Sequence, residues 1–237
     1  MRLVRLADAD AVSAAAAEEL AGLLAAALGA RGVAHLALTG GSSAAPVYER
    51  LAGLVGDWSA VHLWWGDERC VAPDDEQSNF LIARRALIEP AGIGADRVHR
   101  MRGELGPADG ARAYAAELGE HVAARDERGL PVLDVVDLGL GPDGHVASLF
   151  PSHPLLAVDD ATVAGVTDSP KPPPRRITLT LPVLRAARAL VVHTAGASRA
   201  EAIARAAAGP DPAVPLSLLP TDRLTLIADE AAAGGLG

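Results

Sequence analysis

Apolar and polar positions along this chain follow two alternating rhythms. Short runs of branched apolar residues recur at 33–39, 61–66, 133–138, 162–166, 177–181, 190–194 and 224–228, each with the length of a buried strand. A shorter run at 98–101 reads the same way. Between them lie Ala- and Leu-rich stretches at 9–30, 44–54, 78–87, 107–128 and 198–208, with apolar residues at helical spacing. Gly29–Gly32 and Gly209–Pro210 stop two of these helices, and Pro46 is tolerated in the first turn of another. Residues 146–150 have the look of a further helix start. The segment SPKPPPRR, 169–176, excludes helix, because proline lacks the donor and clashes with the preceding turn. Strands and helices alternate almost throughout. That predicts an α/β fold: three layers, α/β/α, with a mostly parallel open sheet and helices on both faces. No linker separates two cores, so 1–237 reads as a single domain.

Composition narrows this picture. Half of the 237 residues are hydrophobic but only 3% are aromatic, so the core is built mainly from Ala, Val and Leu. The net charge of −9 argues against nucleic acid as a partner, since duplex binders present a basic face. Cys70 is the only cysteine, which excludes an intrachain disulfide and a cysteine-built zinc site and suits a reducing compartment. The N-terminal stretch has acids within ten residues and no signal-peptide core, and no uncharged apolar run reaches the roughly 18 residues a bilayer span needs. The expectation is a cytoplasmic protein with no membrane partner, monomeric or weakly dimeric.

Four segments carry chemistry. In LTGGSSAAPVYERL, 38–51, a strand ends in a glycine-serine turn and a helix follows at once. Gly40 and Gly41 let backbone approach a ligand. The helix start offers free N–H groups and a positive dipole end, and Ser42 and Ser43 are available either as caps or as hydroxyl donors to an anion. The motif is neither G-x-G-x-x-G nor a P-loop, so dinucleotide and nucleoside-triphosphate readings fail. In WWGDERCVAPDDEQSNF, 64–80, Asp67, Glu68 and Arg69 directly follow a strand, where ionisable groups are costly to bury and mark a catalytic loop; Asp74, Asp75 and Glu76 read as surface acids. In LGLGPDGHVASLFPSHP, 138–154, His145 sits just past a buried strand with Asp143 two residues before it, where ligands bind in open α/β sheets. A near-neutral imidazole there accepts a proton from water, and Asp143 orients its ring. His153 is a weaker candidate; His35 and His62 sit inside expected strands as packed or edge residues, and His99, His121 and His193 lack a glycine-rich setting. In PKPPPRRITLT, 170–180, Lys171 is the chain's only lysine, against 20 arginines, and Arg175 and Arg176 follow a stiff proline run. There is no HExxH, EF-hand or G-x-S-x-G elbow.

Together LTGGSSAAPVY, WWGDERCVAPDDEQSNF, DLGLGPDGHVASLFP and PKPPPRRITLTLPVL resemble the 6-phosphogluconolactonase family, within the larger glucosamine-6-phosphate deaminase/isomerase-like group. They occur in family order and, with the helices between, cover most of the chain. The deaminases share Asp-Gly-His but carry a glutamate five residues after the histidine, where this chain has Phe150. They also have Asp-Glu-Tyr where it has Asp67-Glu68-Arg69. Phe80 stands in place of a common tyrosine, and Arg199 in place of a phosphate-binding lysine.

The resemblance implies hydrolysis of a phosphorylated sugar lactone in the pentose phosphate pathway, with no metal and no organic cofactor. It implies that the turn at 40–43 takes the phosphate with help from Arg176, Lys171 or Arg199. Asn79 and Gly144 are implied as further substrate contacts. His145 would activate water, Arg69 would meet the oxyanion, and Asp143 or Asp67 would steady His145 and Arg69. The competing expectations are a sugar-phosphate isomerase or deaminase, disfavoured by Phe150, and a non-catalytic sugar-phosphate sensor.

Overall fold

A computed structural model describes residues 1–236. Strand β1 (Arg2–Leu6) opens the chain. Helix α1 (Ala9–Arg31) starts where the Asp8 carboxylate accepts the Ala11 N–H, and ends at Gly32, whose φ of 71° suits glycine. Then come β2 (Ala34–Leu38), α2 (Ala44–Leu54), β3 (Val61–Trp65), β4 (Asp67–Arg69), α3 (Asn79–Ala83), α4 (Gly106–His121) and β5 (Val135–Gly139). The chain continues through β6 (Val163–Val166), β7 (Arg176–Leu179), α5 (Leu181–Ala186), β8 (Ala189–Thr194), α6 (Ala200–Ala207), β9 (Leu224–Asp229) and α7 (Glu230–Ala233).

Six strands form a parallel sheet in the order β1-β9-β8-β5-β2-β3. Every residue of β2 and β9 is buried, although successive side chains point to opposite faces, so both faces of the sheet are covered. This is the expected three-layer α/β/α arrangement. On one face α1 lays a buried stripe, Val12, Ala16, Leu20, Leu24 and Ala27, near α2, β8 and β9. By length and composition α1 is apolar enough to cross a membrane, although Asp10, Glu18 and Glu19 interrupt it, so no uncharged run of that length occurs in it. In the fold its apolarity serves the core.

Four expectations need correction. The strands at 162–166 and 177–181 do not join the parallel sheet; β6 and β7 pair with β4 in a separate antiparallel sheet, order β4-β7-β6. Gly66 is the junction between the sheets: its N–H donates to Leu38 O at 2.9 Å and its carbonyl accepts from Leu179 at 2.8 Å. Residues 146–150 form a tight turn instead of a helix start, because Ala147 lies in the left-handed region at φ 49° and Pro151 disfavours helix at the residue before it. The helix expected over 107–128 ends at His121, and 98–101 contributes only one bridge, Val98 to Leu63.

The winding reverses between neighbouring strands β2 and β5. From β2 the chain leads through α2 outward to β3, whereas from β5 it goes on to β8 on the other side. The two strands pair only at Leu36–Val135 and Ala37–Val136. Past that point the ladder stops, and Thr39 Oγ1 accepts the Gly139 N–H at 3.0 Å instead. Such a reversal leaves a crevice at the carboxyl ends of the strands, and the loops after β2, β3 and β5 all open onto it.

Candidate active site

The crevice is a cleft of about 200 Å³, with the start of α2 at one end and a histidine at the other. At the first, Tyr48 on α2 pins the end of β2. Its hydroxyl accepts the Thr39 N–H at 2.7 Å and lies 2.9 Å from both the Thr39 carbonyl and Asp137 Oδ2. The turn then passes so close to Asn79 that a Cβ on Gly40 would overlap its side-chain amide, and Gly41 has φ 87°. Ser43 makes no side-chain cap bond to α2. The 11-residue helix therefore begins with free polar groups and the positive end of its dipole on the cleft wall.

At the other end, Gly141-Pro-Asp-Gly-His145 closes on itself. The Gly141 N–H donates to the His145 carbonyl at 3.0 Å and the Gly144 N–H to the Gly141 carbonyl at 2.9 Å. The loop folds His145 Nδ1 to 2.5 Å from Asp143 Oδ1. A Cβ on Gly141 would overlap the His145 ring and lie 2.6 Å from Asp143 Oδ1, so glycine is what makes the pairing possible. Burial opposes ionisation of Asp143, but the bonds and charges of His145 and then Lys171 outweigh it, holding the carboxyl well below the usual carboxylate range. Among the described residues His145 Nε2 has no hydrogen-bond partner. The Phe150 ring lies 4.9 Å from the His145 ring.

The wall between the ends comes from β4. Asp67 is buried and accepts from the Ser148 hydroxyl at 2.6 Å and the Asn79 amide at 3.2 Å, and lies 3.7 Å from Arg176. Glu68 braces the strand to α3, accepting from the Arg69, Asn79 and Phe80 N–H groups and the Ser78 hydroxyl; burial nevertheless raises its carboxyl to about 6. Arg69 donates from Nη1 to the Gln77 carbonyl at 2.7 Å, and its buried Nε has no partner. It sits directly opposite Arg176 in the β4–β7 register. Opposed like charges destabilise a strand pair, so the cleft gathers positive charge against the local interest of the sheet. Arg199 lines the same cleft with its Nε unpartnered.

Comparison with known proteins gives the family. Residues 7–227 match the family described as glucosamine-6-phosphate isomerases/6-phosphogluconolactonase. The chain belongs to that family. It is 42% identical over 212 residues to the 6-phosphogluconolactonase of Mycobacterium tuberculosis, covering 86% of this chain and 85% of that one. The 6-phosphogluconolactonase of Streptomyces coelicolor is 41% identical over 211 residues, 85% of this chain and 81% of its own. The crystal structure of 6-phosphogluconolactonase from Leishmania guyanensis superposes with a TM-score of 0.79 at 30% identity, over 100% of this chain and 98% of that one.

Gly40, Gly41, Ser42, Ser43, Asp67, Arg69, Asn79, His145, Arg176 and Arg199 all line one cleft, with Asp143 behind His145. Four expectations change. Gly144 is off the cleft wall: its N–H and carbonyl are both used internally, and a Cβ would lie 2.7 Å from Val214, so packing requires glycine there. Lys171 turns to Asp143 and His145, not to the turn at 40–43. Arg176 is 4% exposed, and its Nε and Nη2 donate to the carbonyls of Pro173, Lys171 and Pro172, so it ties down the proline segment. Asp67 holds Ser148, Asn79 and Arg176, and steadies neither His145 nor Arg69. Arg175 lies against Gly106, off the cleft, and His153 Nδ1 caps a short turn at Leu155. Sequence reading missed Gly141, Thr39 and Ser148. Gly141 was readable from the Gly-Pro-Asp-Gly-His spacing, whereas nothing local marks Ser148, whose partner Asp67 is 81 residues away.

Proposed function

We propose that this chain hydrolyses 6-phospho-D-glucono-1,5-lactone to 6-phosphogluconate, the lactone-opening step of the oxidative pentose phosphate pathway. The named relatives support the substrate. One observation carries the mechanism: His145, bonded through Nδ1 to Asp143, has a free Nε2 on the same cleft as an uncapped helix start. The phosphate sits at 40–43 with Arg199 beside it, which sets the lactone carbonyl toward His145. Nε2 takes a proton from water as the oxygen attacks that carbonyl. The tetrahedral oxyanion is met by the Arg69 guanidinium. Collapse breaks the ring C–O bond, and the imidazolium returns its proton to the departing alkoxide, leaving a free hydroxyl and a carboxylic acid that loses its proton to solvent as the carboxylate. The proton moves through a side chain, so these steps call on no metal or organic cofactor. An apolar ring at Phe150 leaves no carboxyl there to assist sugar-ring opening, which disfavours the isomerase and deaminase reading.

All of these groups come from one chain, in keeping with a monomer or weak homodimer. A free thiol at Cys70 suits a reducing cytoplasm. Expected on assay is lactone hydrolysis with chelator present, and a fall in kcat of about 10²–10⁴-fold for His145→Ala with an unchanged melting curve. Full activity in that variant would remove His145 from the mechanism. Ammonia release from glucosamine 6-phosphate would point to the deaminase chemistry instead.

A further inference from the structure

The chain's only lysine does something its neighbours do not require for folding. Lys171 Nζ lies 3.1 Å from Asp143 Oδ1 and 3.3 Å from His145 Nδ1, while Nδ1 itself is 2.5 Å from the same Oδ1. One carboxylate oxygen thus serves both an ammonium and an imidazole. The lysine is delivered there by a braced loop. Ser169 Oγ bonds both the N–H and the carbonyl of Lys171, the Ser169 N–H donates to Pro174 O, and Arg176 holds the Lys171 carbonyl.

We propose that Lys171 is a positioning residue for His145: by sharing Asp143 Oδ1 it holds the ring neutral, with its one proton on Nδ1 and its lone pair on Nε2. The inference rests on the reading of His145 as the base. A carboxylate alone stabilises the imidazolium, which favours a charged ring that is useless as a base. An ammonium 3.3 Å from Nδ1 opposes that second proton without breaking the Nδ1–H···Oδ1 bond that fixes the tautomer. The remaining charged groups facing the cleft are Asp67, Arg69, Arg176 and Arg199. None of them hydrogen-bonds to His145, and Asp67 is spent on Arg176, Asn79 and Ser148. Lys171 is therefore the cation in direct contact with this ring and with its carboxylate partner.

The test is Lys171→Met, with Lys171→Arg as the charge-retaining control, read by NMR titration of His145 and by the pH profile of kcat/KM. Both the 6-phosphorylated lactone and the unphosphorylated gluconolactone serve as substrates. Expected for Lys171→Met is a His145 titration about one pH unit higher, an acidic limb displaced equally, and kcat on that acidic limb lowered by up to about tenfold on both lactones, with KM for the phosphorylated one little changed. Lys171→Arg restores most of the displacement. A titration that does not move overturns the proposal, as does a loss confined to KM for the phosphorylated lactone, which would make Lys171 a phosphate ligand. If the ring titration moves but the kinetic limb stays, His145 is not the base, and the catalytic role of Lys171 falls with it.

Discussion

Gly141 shows how one missing methyl group sets the chemistry. The His145 ring packs onto its Cα face, and any Cβ there would overlap that ring and crowd Asp143 Oδ1 at 2.6 Å. Gly141→Ala must therefore push His145 off Asp143, while the backbone stays allowed, since Gly141 does not have a positive φ. Expected is a loss of kcat of about 10²-fold or more, comparable to losing the positioned base, with a melting temperature within a few degrees of the parent. Parent-like kcat would show that the 2.5 Å Nδ1–Oδ1 contact is dispensable. At this scale the sequence is legible where function is local. Gly-Pro-Asp-Gly-His places base, orienting acid and hinge within five residues. The partner of Lys171 was not legible, because Asp143 is 28 residues away and the proline loop between β6 and β7 decides where the ammonium goes. Arg176 misled for a related reason: a guanidinium next to prolines reads equally as a ligand for phosphate or for the loop's own carbonyls.

Among elements, α2 and its turn depend on a buried polar network. The Tyr48 hydroxyl joins Thr39 to Asp137, and His193 Nε2 lies 3.2 Å from the other Asp137 oxygen, all four residues being buried. Tyr48→Phe leaves the Thr39 N–H and Asp137 Oδ2 without that partner. Orphaned buried groups cost about 1–3 kcal/mol each, so urea unfolding should register a loss of that order. Loosening Thr39 also frees the turn at 40–43. The KM for the phosphorylated lactone and the inhibition constant of inorganic phosphate should both rise several-fold, with kcat changed less. A fall in kcat alone would place Tyr48 with the histidine end of the cleft. The strand-turn-helix itself was readable from its apolar run and glycines. The antiparallel sheet was not, because β4 is written entirely in charged residues, Asp67-Glu68-Arg69, and reads as a loop. Its ladder to β7 and the Glu68 brace to α3 override that composition.

For the whole molecule, a cluster of four histidines away from the cleft ties stability to pH. The rings of His35 on β2 and His62 on β3 lie 5.0 Å apart, tilted by 33°, His62 Nδ1 meets His99 Nε2 at 2.8 Å, and His121 at the end of α4 lies 4.7 Å from His99. Trp64 stacks on His99 and donates its indole N–H to His35 Nδ1 at 3.1 Å. The charged groups around them are Glu117, 2.8 Å from His99, with Arg97 and Asp96 near His62. Burial first, then the neighbouring histidines, lower His35 to about 4; burial, His99 and Arg97 do the same to His62. An unfolded chain protonates both near 6.5, so between 6.5 and 4 the unfolded state binds more protons than the folded one. Stability is therefore highest above the unfolded value and is lost as the pH falls through this window. Linkage then requires unfolding near pH 5 to take up about two protons on account of His35 and His62. Urea unfolding measured from pH 7.5 to 4 gives that number from its slope, and His62→Gln should reduce it by about one. Comparing the two proteins cancels the contributions of Asp143 and Glu68, which are common to both. An identical slope in the variant would mean that His62 protonates freely in the folded state, and that the cluster opens before the sheet does.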